Sequence, residues 1–143
     1  MNGRDVPEAV PDQLIVESIM AYPSNVIAVI DDNREVREGI KQLLSSAGYR
    51  VELFASAEEF INAVENSEAE CLVVDFQLGD ITGVELVRHL SAMGFEFPVV
   101  FMSATDESVL RSQALDFDHV AFLPKPLLAH QLIEAITLAI GSK

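Results

Sequence analysis

The sequence predicts an α/β fold: an open, doubly wound sheet of five parallel strands. Three observations carry this. Short β-branched apolar runs recur without the alternation of a half-solvated strand, as expected where both sheet faces are covered. Each run is followed by a stretch with apolar residues at helical spacing. The strand–helix repeats recur five times at about 20 residues each, the rhythm of parallel βαβ units with right-handed crossovers.

The elements follow in order. VIAVI at 26–30 is the first strand. Asn33 can cap a helix running to about Ala47, with Val36, Ile40, Leu43, Leu44 and Ala47 at helical spacing. Gly48 ends it. YRVELF is the second strand, and Ser56 three residues before Glu59 marks the next helix start, with Phe60, Ile61 and Val64 following. CLVVD at 71–75 is the third strand, and residues 83–93 form a helix burying Val84, Leu86, Val87 and Leu90. PVVFM at 98–102 is the fourth strand, with a weaker helix over 106–115. HVAFL is the fifth strand, and a final helix is expected to open at Pro126, run to about Ile140 and close at Gly141. Residues 1–25, punctuated by Pro7, Pro11 and Pro23, form an N-terminal arm or short helix, and 26–141 one domain.

Composition narrows the function classes. The formal net charge is -14, which disfavours direct contact with nucleic acid or an anionic membrane. No apolar run is long enough to span a bilayer, and the first residues do not read as an export signal. A cytoplasmic protein is the expectation. The single cysteine, Cys71, excludes an intrachain disulfide and reads as a small core residue. His89, His119 and His130 lack metal-ligand spacing.

All strands of a parallel sheet point one way, so the loops after them open on one edge. Asp31 and Asp32 follow the first strand, Asp75 ends the third, Ser103 and Thr105 follow the fourth, and Lys125 and Pro126 follow the fifth. Three carboxylates brought together repel one another, and a divalent cation relieves the repulsion. An all-oxygen set without cysteine or histidine suggests a hard ion, Mg²⁺ by preference, with Mn²⁺ as an alternative. Asp32 and Asp75 are the expected direct ligands, with Asp31 acting through water and the Gln77 carbonyl as a further oxygen. Asp75 can act as a nucleophile toward phosphorus, with Lys125 and Ser103 stabilising the transferring group.

These pieces resemble the receiver domain of two-component response regulators. The matching stretches are VIDDN at 29–33, VVDFQLGDITG at 73–83, FMSAT at 101–105 and FLPKP at 122–126. The resemblance implies a flavodoxin-like (βα)5 sheet of strand order 2-1-3-4-5. It implies that Asp75 is the phosphorylated aspartate and that Asp31 and Asp32 are the acidic pair holding Mg²⁺. By the same resemblance Ser103 is the hydroxyl residue, Lys125 the lysine, and Phe122 the aromatic switch that moves with Ser103. The peptide bond before Pro126 is often cis in such domains. Gln77 and Thr105 occupy positions that tune water access to the acyl phosphate.

The implied partner is a histidine kinase or a histidine phosphotransfer domain. The implied activity is self-phosphorylation and dephosphorylation, without turnover of a separate substrate. A phosphatase using an aspartyl nucleophile would need a carboxylate where Gln77 stands. A phosphorylation-independent interaction module would show no Mg²⁺ affinity.

Three features depart from the resemblance. Gly79 replaces a proline common after the acceptor, which suggests a mobile turn. Asp118 and His119 replace a small-residue pair. Pro124 precedes Lys125 and stiffens its loop. The final helix has a wide apolar arc, pointing either to a homodimer through the 106–115 and final helices or to cover by the arm, with Leu14, Ile15 and Ile19 as contacts. Whether an output domain belongs to the protein is left open by the sequence.

Overall fold

The computed structural model describes residues 25–79, 81–104 and 120–141. Within them the order is β1 (Val26–Ile30), α1 (Arg34–Ser46), β2 (Arg50–Phe54), α2 (Ala57–Ala63), a 3-10 turn (Val64–Asn66), β3 (Cys71–Asp75), α3 (Gly83–Ala92), β4 (Val99–Ser103), β5 (Val120–Pro124) and a last helix (Ala129–Gly141). The expected arm, the 106–115 helix, Thr105 and the Asp118–His119 pair lie outside the described residues.

The five strands form one sheet in the order β2-β1-β3-β4-β5, and all neighbours are parallel. The predicted order 2-1-3-4-5 is the observed one. Two cores explain the missing alternation in the strand sequences. Ala28, Ile30, Leu72, Val74, Val99 and Phe101 face α2 and α3, meeting Phe60, Val84, Leu86 and Leu90. Their neighbours Ile27, Val29, Val73, Val100 and Met102 face α1 and the last helix, meeting Ile40, Leu44, Leu132 and Ile136. Successive side chains point to opposite faces, so a strand covered twice is apolar throughout. Cys71 belongs to the second core, as expected of a small apolar residue.

Local chemistry sets the helix starts. The Asn33 side chain accepts from Val36 N–H and Ser56 from Glu59 N–H. Thr82 and Glu85 form a reciprocal capping box that the sequence reading missed. The start of α3 is pressed against the sheet: a Cβ on Gly83 would lie 2.9 Å from the Phe101 ring and 3.0 Å from the Asp75 carbonyl oxygen. Only glycine fits that approach.

Several boundaries differ from expectation. α1 ends at Ser46, and Ala47 is its exposed C-cap. β4 and β5 each lie one residue later, so that Ser103 and Pro124 are paired strand ends. Pro126 does not open the last helix. Residues 126–128 precede the helix, which begins at Ala129, with Leu132 N–H donating to the Leu128 carbonyl. The Lys125–Pro126 peptide is cis.

Candidate functional site

The strand ends bring the chemistry together. Ile30 pairs with Val74, so Asp31 emerges beside Asp75; Asp75 pairs with Met102, and Ser103 with Pro124, which places Lys125 over the same edge. Asp31, Asp32 and Asp75 each offer a carboxylate oxygen, all within 4.8 Å of one another. Asp31 and Asp75 are buried while Asp32 is exposed, so Asp32 supplies the side open to a ligand. An all-oxygen cluster of this kind fits a hard metal ion.

Lys125 spans the buried pair. Its Nζ donates to Asp75 Oδ2 at 3.1 Å and to Asp31 Oδ2 at 3.2 Å. Its backbone N–H donates to the Ser103 carbonyl at 2.9 Å, which fixes the loop carrying it. The other oxygens are also held: Asp31 Oδ1 accepts from Asn33 N–H at 2.8 Å, and Asp75 Oδ1 from Gln77 N–H at 3.2 Å. Ser103 is buried at the end of β4. Gln77 has an exposed side chain at the rim.

Burial raises the Asp75 carboxyl above its ordinary value, and the Asp31 charge raises it further; Gln77 N–H and Lys125 oppose this without cancelling it. Burial lowers the Lys125 ammonium, but its bond to Asp75 and the charge of Asp31 outweigh that, and the net direction is upward. The directions are compatible: one cation faces two anions, so it stays charged while the anions still repel each other.

The turn after Asp75 is anchored at both ends. Phe76 and Leu78 are buried, Gln77 bridges Thr82, Leu78 N–H donates to the Ile81 carbonyl, and Gly83 N–H donates to the Phe76 carbonyl at 2.6 Å. This is a more tethered stretch than the missing proline suggests. Gly79 adopts φ 92, which L residues rarely adopt, and a Cβ there would meet Asp32 Oδ2 only at ordinary contact, 3.6 Å. Gly79→Ala is therefore expected to cost about 1 kcal/mol from backbone strain alone. Urea denaturation of the two proteins measures this, and an unchanged midpoint would contradict it.

Phe122 stacks on Phe101 with centroids 5.5 Å apart and planes at 26°, and Phe101 meets Phe76 edge-on at 6.4 Å. This aromatic row leads from β5 across β4 to the residue that follows β3 and was not visible in the sequence. Thr105 lies outside the described residues. Arg37, which donates from Nη1 to the Asp31 carbonyl at 2.8 Å, was also missed.

Comparison with known proteins agrees with this geometry. The response regulator receiver domain matches residues 27–137. Response regulator protein TodT of Pseudomonas putida is 31% identical over 121 residues, covering 85% of this chain and 53% of TodT. Transcriptional regulatory protein TdiR of Thauera aromatica is 31% identical over 118 residues, 82% of this chain and 52% of TdiR. The chain thus spans about half the length of these curated relatives. Full-length FixJ from B. japonicum superposes with a TM-score of 0.76 at 32% identity, over 82% of this chain and 58% of FixJ. With its sheet order, its acidic edge and these matches agreeing, the chain belongs to the response regulator receiver domain family.

Proposed function

We propose that Asp75 accepts a phosphoryl group from a phosphohistidine donor, a histidine kinase or histidine phosphotransfer domain, in a Mg²⁺-dependent reaction. The observation that carries this is the Lys125 ammonium 3.1 Å from an Asp75 oxygen beside three clustered carboxylates. In the reaction Asp75 oxygen bonds to phosphorus, the donor's P–N bond breaks, and its imidazole leaves as it takes up a proton. Bound Mg²⁺ supplies charge neutralisation to the transferring group. Asp32 and Asp75 would hold it directly, Asp31 would support it through water, and the Gln77 carbonyl would add an oxygen. Lys125 holds a phosphoryl oxygen and Ser103 donates its hydroxyl to another. Gln77 and Thr105 set water access to the acyl phosphate.

Phosphorylation adds negative charge at the sheet edge. Ser103 and Phe122 then shift together, a population change between two packings. Phe122 has no hydroxyl, so its switching relies on packing, to which its stacking on Phe101 contributes. Exposed Leu128 and Leu138 support a homodimer through the last helix and the 106–115 segment. The charge of -14 argues against direct contact of this chain with nucleic acid. No helix of the described residues is long and apolar enough to cross a membrane, and the donor class fits a cytoplasmic setting.

Incubation with a small acyl phosphate tests the chemistry. A mass gain of one phosphoryl group, present with Mg²⁺ and absent with chelator, is expected; no gain under either condition would overturn the reading.

Beside the pocket an apolar groove of about 570 Å³ is lined by Val36, Gly39, Leu43, Pro126 and Leu127, and it shares Lys125 with the site. A donor reaching Asp75 packs there, because the groove is continuous with the reacting edge. Gly39 leaves its floor open, with nothing within 4 Å of a Cβ. Gly39→Leu is expected to slow transfer from the protein donor by roughly tenfold, the loss of about 1.4 kcal/mol of docking. Labelling by the small acyl phosphate should be unchanged. Equal slowing of both reactions would place the defect in the site instead.

A further inference from the structure

The turn between β1 and α1 carries one contact that neither the acidic cluster nor the helix cap requires. Asp31 is fully buried and stands one residue beyond the last paired residue of β1. Its N–H donates to the Phe54 carbonyl at 3.2 Å, and its two carboxylate oxygens are held by Asn33 and Lys125. The Asp31 carbonyl has left the ladder, and it is held by Arg37, whose Nη1 donates to it at 2.8 Å. Arg37 is anchored in turn: its own N–H donates to the Asn33 carbonyl at 3.1 Å in the first turn of α1. The guanidinium therefore reaches back over the cap to the peptide joining Asp31 to Asp32.

That peptide sets where the Asp32 carboxylate points. Asp32 is the exposed member of the cluster, with fewer walls around it than Asp31 or Asp75. Rotation of the peptide would move Asp32 away from the other two carboxylates, while Asp31 would stay clamped by Lys125. Partners that orient ligands in this way commonly change metal affinity by 10–100-fold when removed.

We propose that Arg37 is a positioning residue for the metal: by fixing the Asp31 carbonyl it holds Asp32 in the ligand set. The inference rests on the metal-dependent reading above. It has a distinctive sign. A guanidinium near a cation site repels the cation, so loss of its charge alone would tighten binding. Loss of the positioning bond weakens it.

The test uses the whole chain and Mg²⁺ itself, by titration calorimetry, together with melting in chelator. Arg37→Met keeps an aliphatic stem and good helix propensity while removing donor and charge. It is expected to weaken Mg²⁺ binding about tenfold. Arg37→Lys retains the charge and an N–H, and the contact is a single bond rather than a bidentate fork. It is expected to return affinity to within about threefold of the parent. Unchanged or tighter binding by Arg37→Met overturns the proposal, even if its metal-free melting temperature falls, because a purely structural role would do only that. If Arg37→Met fails to fold, Arg37→Gln replaces it with the same expectation, its amide being too short to reach. A parent protein that binds no Mg²⁺ would refute the functional reading as well; a parent that binds while the variants match it would refute Arg37 alone.

Discussion

Asp75→Asn is expected to reduce phosphoryl incorporation from a small acyl phosphate to background, because an amide cannot supply the attacking anionic oxygen. The same change is expected to stabilise the metal-free protein at neutral pH. Burial and the Asp31 charge raise the folded-state Asp75 carboxyl, so its ionised form is tolerated less well in the folded chain than in the unfolded one. A raised carboxyl costs stability when ionised: the cost is full above the folded-state value and vanishes below the ordinary carboxylate range. The Asp75→Asn melting temperature should therefore exceed that of the parent by a few degrees at pH 7 in chelator, and the gap should close as the solution is acidified. Saturating Mg²⁺ should narrow the gap from the other side by stabilising the parent preferentially. Loss of labelling with no gain in melting temperature would keep the nucleophile and reject the electrostatic account of its cost.

The two halves of that expectation differ in how far the sequence reveals them. The position of Asp75 was legible because CLVVD is an uninterrupted apolar run ending in a carboxylate, and because parallel strands deliver their ends to one edge. Asp31, Ser103 and Lys125 were legible for the same reason, and each lies at that edge. The energetic cost was legible only as repulsion among three acids. Its size and direction at one residue depend on burial, on the Gln77 N–H and on Lys125, and these need coordinates. Arg37 was hidden differently. Within a helix sequence it reads as a solvated charge, and nothing in its spacing announces a bond to a carbonyl six residues earlier. Phe101 reads as core and is core, yet its stacking on Phe122 depends on the register between β4 and β5, which periodicity does not fix to one residue. The start of the last helix was misplaced because a proline is a permissive signal for a first turn and an equally good one for a loop.

Lys125→Ala is expected to have the second large effect, on stability and on chemistry together. The ammonium is the cation bridging Asp31 and Asp75, and Asp31 has a fully buried side chain. Removing one partner of such an arrangement in the metal-free protein leaves buried negative charge without its compensating cation. Lys125 is itself about a quarter exposed, 24%, so solvent moderates the loss, and about 2 kcal/mol in chelator is expected. The pH dependence has a defined sign. The folded-state Lys125 ammonium is raised above 10.5, so its contribution is fully present below that ordinary value and is lost as pH rises through the folded one. The parent and Lys125→Ala should thus keep a constant gap in stability from neutrality to mild alkali and converge only in strong alkali. Mg²⁺ should recover part of the lost stability, since it supplies a replacement positive charge at the carboxylates. It should not restore labelling. A phosphoryl oxygen would still lack its fixed donor, and removal of one such donor commonly slows transfer by roughly a hundredfold or more. Arginine should rescue poorly, because a planar guanidinium does not fit two separate oxygens that an ammonium meets as a point charge. Acyl phosphate labelling in Mg²⁺ and urea denaturation in chelator measure the two effects. Near-parental labelling by Lys125→Ala would show that the bridge across Asp31 and Asp75 serves the fold and not the transfer.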